Sequence, residues 1–295
     1  MHAALSRAGL AWLAVVVVAW GFTWPVNKVI LASVPPLWTV ALRSAVGCGA
    51  MFALGLTMRR LALPPRADAP VLVGMALLHM VGFGLLASVG LQLVPTGRSV
   101  VLAYTTPLWV APGARVFLGE TLTSRRALGV VVGLLGLGAL FNPLALDWSA
   151  RGVVLGHLAI LAGALLWAAS ILQIRGHRWR TTPLDVLPWS LALATVVTSL
   201  VALAVEGVPR VQWSPRLAVM VFYAGVPGTA LAYWATAMAS RALPAVTTSL
   251  GLLATPVVSV VLATAWLGEP LTVSLVAAIV LILGGVALGA SGAEQ

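Results

Sequence analysis

The fold class that this sequence predicts is a polytopic α-helical membrane protein: ten transmembrane helices arranged as two inverted five-helix repeats around a central cavity. Composition, an internal duplication and the placement of charge predict it. Of 295 residues, 61% are hydrophobic and 8% charged, and the mean hydropathy is +1.05. No soluble core absorbs that much apolar surface. Runs such as Leu10 to Asn27, Leu128 to Ala145 and Val273 to Ala290 approach the ~20 residues needed to cross ~30 Å of hydrocarbon as helix. Inside lipid every backbone group must be satisfied within the segment, which selects helices.

The duplication centres on one stretch that occurs twice. Thr106-Pro107 leads through apolar residues to Leu118-Gly119-Glu120-Thr121-Leu122-Thr123, and Thr255-Pro256 leads at the same spacing to Leu267-Gly268-Glu269-Pro270-Leu271-Thr272. Val94-Pro95 pairs with Leu243-Pro244, Ser99 with Thr248 and Gly136 with Gly285. At nearly the same offset Trp20 falls on Trp167, Thr23 on Ser170, Lys28 on Arg175 and Pro36 on Pro183. A repeat of that length divides the chain into 1–147 and 148–295, one integral membrane domain with five helices in each half.

In order, the predicted helices are 10–31, 36–58, 69–92, 95–117, 124–143, 152–175, 183–205, 215–238, 244–267 and 271–291. Arg7 before the first run resembles a signal peptide, but the run is long and lacks a cleavage site before Lys28, so it reads as a retained helix. Pro35-Pro36, Pro64-Pro65, Pro95, Pro183, Pro215, Pro244 and Pro270 stand at or beside starts, where a missing N–H costs little. Pro25, Pro107, Pro112, Pro227 and Pro256 fall inside predicted helices, where each removes a hydrogen bond and predicts a kink. Of these, Pro25, Pro107 and Pro256 are the candidate hinges.

A net charge of +10 would point a soluble domain towards nucleic acid, but here the charges lie between apolar runs, which excludes that partner. Sorted by alternate loops, eleven basic residues (Arg7, Arg59, Arg60, Arg66, Arg115, Arg125, Arg126, Arg175, Arg178, Arg180, Arg241) share the side of the N-terminus, against five (Lys28, Arg98, Arg151, Arg210, Arg216) opposite. The positive-inside rule then predicts cytoplasmic termini. Five helices per half is odd, so the second half enters inverted, with Glu120 cytoplasmic and Glu269 external. Cys48 is the single cysteine, which precludes an internal disulfide.

On the first helix Trp20, Thr23, Trp24 and Asn27 fall at i, i+3, i+4 and i+7, one face with two indoles, a hydroxyl and an amide. Such a face is unsuited to lipid. Trp167 and Ser170 repeat part of it. His79 with Phe83 one turn on, Tyr104 before Pro107, and Thr229 with Tyr233 complete the candidate substrate-binding set, since polar groups at this depth need partners or a cavity. Arg43 reads as structural, reaching backbone carbonyls or water. Most other tryptophans lie near helix ends, where an interfacial belt explains them. His157 reads as interfacial. Gly119-Glu120 and Gly268-Glu269 read as turns whose carboxylates complement the dipole of the following helix.

Ten helices in two halves, each closing on Pro and then Leu-Gly-Glu-x-Leu-Thr, together with Arg43 in the second helix, resemble the EamA-type branch of the drug/metabolite transporter superfamily, and within it the YddG-type amino-acid and metabolite exporters. The resemblance covers essentially the whole chain. It implies a cavity lined by helices 1, 3, 4, 6, 8 and 9 and does not name the substrate; the aromatic and hydroxyl groups predict a secondary transporter that exports small neutral or zwitterionic metabolites, amino acids first, by alternating access, since inorganic ions would need carboxylates or ordered carbonyls. Drugs or nucleotide precursors are the alternative solutes. An intramembrane enzyme is disfavoured, because no nucleophile stands with a base and the four histidines are scattered; no ATP-binding loop is present. No cofactor or metal is expected. The expected partners are a small-molecule substrate and the bilayer of a bacterial inner membrane, with the chain a monomer or weak homodimer. The acidic residues all fall in loops, helix ends or tails, so facilitated transport without proton or sodium coupling is expected.

Overall fold

The computed structural model describes residues 7–59, 61–120, 122–140, 150–243, 248 and 251–291, and among these it contains helices and no strand. Each predicted span carries helix. α1 is Arg7–Ile30, α2 Pro36–Thr57, α5 Ser124–Leu140, α6 Arg151–Gly176, α7 Pro183–Glu206, α9 Ala254–Leu267 and α10 Val273–Ser291. Arg60, Thr121, Asp147, Trp148, Pro244 and Glu294 lie outside the described residues.

The other three helices are composite. α3 runs from a 3-10 turn at Arg66–Asp68 through Ala69–Gly74 into a π-helical stretch, Met75–Phe83, and then Gly84–Leu93. α8 has the same build: Pro215–Gly225, a π-helical Val226–Leu231, then Ala232–Ala242. The two π segments sit at corresponding places in the two halves, and π segments are frequent at functional sites. α4 comprises Thr96–Ala103 and Thr106–Leu118, separated at Tyr104-Thr105.

That break corrects the reading of two prolines. Pro107 lies in the first turn of the second α4 segment and Pro256 in the first turn of α9, positions whose N–H has no helical partner to lose. They do not kink a continuous helix. Pro25, by contrast, is inside the unbroken α1, and Pro188 is a further internal proline in α7.

Helix pairs run antiparallel across the two halves. A Cβ on Gly129 would meet the Gly285 carbonyl oxygen at 2.4 Å and the Gly289 nitrogen at 2.8 Å, and one on Gly285 would meet the Gly129 carbonyl at 2.5 Å. Gly136 lies against Ile282, so residue numbers rise along α5 as they fall along α10. Only glycine admits backbones this close, the device by which helices associate in lipid. α3 passes α6 in the same sense, with Gly74 at Gln173, Gly82 at Leu166 and Gly90 at Ile160. Its counterpart is α1 against α8, with Gly9 at Leu243 and Thr23 at Gly228. Thus the first helix of each half packs into the other half. Leu10, Val131, Leu135, Leu200 and Val280 are exposed on the outside, the surface that lipid covers.

The duplicated Leu-Gly-Glu motif has a backbone cause. Gly119 (φ 68°) and Gly268 (φ 69°) are left-handed caps that end α4 and α9, a conformation that penalises a Cβ. The two glutamates then diverge from the expected role. Glu269 accepts hydrogen bonds from the backbone nitrogens of Thr96 (2.7 Å) and Gly97 (2.9 Å), so it complements the dipole of α4 in the other half, not that of α10. Glu120 pairs with Arg175 and Arg126. Two more carboxylates tie the halves: Glu206 accepts from Leu37 and Trp38 nitrogens at the start of α2, and Asp68 accepts from Arg180, Thr181 and His177.

Candidate functional site

A cavity lies where α1, α2, α3, α4, α6 and α8 converge. The π segment of α3 presents His79 and Phe83, that of α8 presents Gly228 and is followed by Tyr233, and α6 presents Trp167. Rings dominate the walls. His79 stacks on Trp167 with centroids 5.0 Å apart and planes 10° apart. Phe83 lies 5.0 Å from Trp167, and Tyr104 stands edge-on to the same indole at 5.9 Å. Tyr233 meets His79 at 5.6 Å and Trp20 at 6.0 Å, both edge-to-face, while Trp24 faces Phe83 at 6.5 Å. These offset and T-shaped geometries are the favourable ones for aromatic pairs.

From this tier of rings the cavity extends along Asn27, Thr39, Ser88 and Leu91. Those residues approach the C-terminal ends of α1 and α3 and the N-terminal end of α2, so the cavity rises towards the end of the bundle bearing the α1–α2 and α3–α4 connections. The space open to the centre of a water molecule is about 80 Å³, room for several waters.

The wall hydroxyls are mostly committed: Thr23 donates to the Ala19 carbonyl at 2.7 Å and Thr39 to the Pro35 carbonyl at 3.1 Å. The Tyr233 hydroxyl is 3.4 Å from both ring nitrogens of His79, too long for a strong hydrogen bond. Asn27 Oδ1 is buried with no partner among the described residues. Ser88 Oγ donates to the Pro36 carbonyl at 2.8 Å, which commits it to structure.

Of the eleven residues read as substrate-binding, Trp20, Thr23, Trp24, Asn27, His79, Phe83, Tyr104, Trp167 and Tyr233 line this cavity. Ser170 and Thr229 do not. Ser170 is fully buried, and Thr229 donates to the Ala224 carbonyl of its own helix at 2.7 Å, the usual refuge of a helical hydroxyl. His157, seven residues into α6, is buried against its neighbours, with Nδ1 2.7 Å from the Val153 carbonyl. Sequence reasoning missed α2, which brings Thr39, Val40 and Arg43 into the wall, while no described residue of α9 lines it. The signal was available in Arg43, the single basic residue in the interior of a predicted span.

Models of known families match twice, over residues 7–142 and 154–290, and both matches are to one family. The chain belongs to the EamA-like transporter family. Among the relatives of this EamA-type chain is the uncharacterized transporter YoaV of Bacillus subtilis (strain 168), 25% identical over 92% of both chains. The uncharacterized inner membrane transporter YedA of Escherichia coli (strain K12) is 29% identical over 86% of this chain and 81% of its own. A riboflavin transporter of Rhizobium johnstonii matches at 32% over a shorter stretch, 39% of this chain and 36% of its own. One solved crystal structure superposes with a TM-score of 0.70 at 23% identity, covering 99% of this chain and 100% of that one. The EamA-type protein is accordingly an integral membrane transporter, and the ring-lined cavity is its candidate solute site.

Proposed function

We propose that this transporter exports small organic solutes with an apolar, commonly aromatic, body and a compact polar head, amino acids being the first candidates, by alternating access across a bacterial inner membrane. The observation that carries the reading is the ring-lined cavity between the halves: aromatic faces accept apolar bodies, and inorganic ions would need carboxylates or ordered carbonyls instead. The positive-inside count puts both termini in the cytoplasm, and on that orientation the cavity rises towards the external face. Flux is driven by the solute gradient, because among the described residues no carboxylate lines the cavity, and His79 serves as a wall and hydrogen-bonding group, not as a proton carrier. A planar heterocycle, such as a flavin, is the second reading; the stacked His79–Trp167 pair favours it, and the small volume disfavours it.

The test is uptake of labelled L-phenylalanine into proteoliposomes, with riboflavin as a parallel arm. The reading expects uptake of phenylalanine that equilibrates with the external concentration, is indifferent to imposed pH or sodium gradients, and survives His79→Gln in large part. Accumulation above equilibrium that requires a gradient would overturn the coupling, and flux of riboflavin alone would replace the solute class.

A further inference from the structure

We infer that Arg43 is the anion subsite of the cavity: it takes the carboxylate of the solute, and this contact, not one to an ammonium group, decides which solutes bind. The inference rests on the transport reading above and goes beyond it by giving the site a polarity.

A guanidinium is charged at any physiological pH and offers a planar fork of donors that matches a carboxylate. Buried in a membrane protein, such a group is costly unless it is paired. Arg43 lines the cavity, and among the described residues it makes no ion pair. The described carboxylates are all engaged elsewhere: Asp68 with the Arg180-Thr181 backbone and His177, Glu120 with Arg126 and Arg175, Asp185 with Thr182, Glu206 with the start of α2, Glu269 with the start of α4. Its side chain also donates no hydrogen bond to a backbone carbonyl, unlike Lys28, whose Nζ caps α3 through the Leu91 and Val94 carbonyls. Of the two structural roles that the sequence offers Arg43, bonding to backbone carbonyls is therefore unfilled among the described residues, and the cavity is what remains for it to reach.

The surroundings are shaped for a guanidinium that faces inward. Its Nη2 runs beside Gly84, where an added Cβ would lie 3.6 Å away, and Gly84 and Arg43 both line the cavity, so no side chain of α3 at that position stands over the guanidinium. The ring tier of His79, Phe83, Trp167 and Tyr233 shares the same cavity and would hold the solute's apolar body. For an ammonium group the described walls supply no carboxylate, only neutral acceptors such as the unpaired Asn27 Oδ1 and the Tyr233 hydroxyl, and the ring faces. A solute with an anion and no cation should therefore bind, and one with a cation and no anion should not.

Three probes of one skeleton separate these cases: L-phenylalanine, 3-phenylpropanoate and 2-phenylethylamine, titrated calorimetrically into the purified full-length protein in lipid nanodiscs. The expected result is binding of the first two and at least tenfold weaker binding of the amine. Arg43→Gln should weaken the two carboxylates by roughly 10- to 100-fold, the range for hydrogen bonds to a charged group, and Arg43→Lys should recover part of the loss because it restores charge without the fork. The amine's weak affinity should not fall in either variant. Equal affinity for 3-phenylpropanoate and 2-phenylethylamine, or carboxylate binding unchanged in Arg43→Gln, would overturn the subsite. Should Arg43→Gln not yield monodisperse protein, the ranking of the three probes on the unmodified protein decides alone. Binding of none of the three would overturn the aromatic-solute reading itself and the subsite with it, whereas amine binding without carboxylate binding would leave that reading standing and remove only Arg43's role.

Discussion

At the scale of single residues, the cavity wall divides side chains that pack from side chains that wait for a solute. Trp167 touches His79, Phe83 and Tyr104 on one side and borders open space on the other. Removing its indole should therefore cost little folding energy but much of the site. Trp167→Ala, and likewise Trp20→Ala and Trp24→Ala, should reduce phenylalanine uptake about tenfold or more while leaving the yield of monodisperse protein near normal. A fully packed indole would instead cost about 3–5 kcal/mol, and a parallel loss of yield and uptake would show that the rings are core. The first-helix stripe was legible because Trp20, Thr23, Trp24 and Asn27 share the helical period, which fixes a common face whatever it faces. Ser170 and Thr229 were not separable from it, since a hydroxyl can equally satisfy itself on its own helix, as Thr229 does at the Ala224 carbonyl. For Arg43 a lone sequence carries no information about which interhelical carbonyls a guanidinium can reach.

At the scale of elements, breaks and π turns position the site. Composition foretold the spans well, because hydrophobic length is what crosses a bilayer, but it foretold none of the internal irregularities. The π-helical Met75–Phe83 is as apolar overall as its α-helical neighbours, whereas Val226–Leu231 carries Pro227, Gly228 and Thr229. In the second, Pro227 supplies a local cause by removing a helical N–H. Proline was a partial guide: the repeated Thr-Pro pairs do mark corresponding places, yet Pro107 begins a new helical segment after Tyr104-Thr105, and Pro256 begins α9. The Thr106 hydroxyl donates to the Ala103 carbonyl at 2.7 Å, which spares that oxygen a helical partner. With Pro107→Ala, and with Pro256→Ala, a backbone N–H becomes available to join the segments. If these breaks are where the halves flex, maximal transport rate should fall several-fold with little change in the half-saturating concentration. Unchanged rates in both variants would make the breaks static.

At the scale of the whole molecule, duplication did most of the predictive work. Two copies of a motif in a chain of ten spans imply inversion when each copy holds an odd number, and the antiparallel passage of α5 by α10, with Gly129 at Gly289 and Gly133 at Gly285, is the packing that inversion demands. How the halves hold together was not legible. Glu269 reaches the start of α4 and Glu206 the start of α2, contacts between residues about 170 positions apart that no local pattern encodes. These carboxylates fasten one end of the bundle through backbone nitrogens, and Asp68 fastens the other. Such end clamps are suited to a protein whose central site is served in turn from either face.

Alternating exposure of that site is the central claim, and a single cysteine tests it. Ala87 lines the cavity on α3 and is itself nearly buried, so Ala87→Cys in a Cys48→Ala background places one thiol inside. Membrane-impermeant maleimide should label this cysteine both in right-side-out and in inverted vesicles, and saturating L-phenylalanine should slow labelling from each face. Labelling from one face alone, unaffected by solute, would contradict the account.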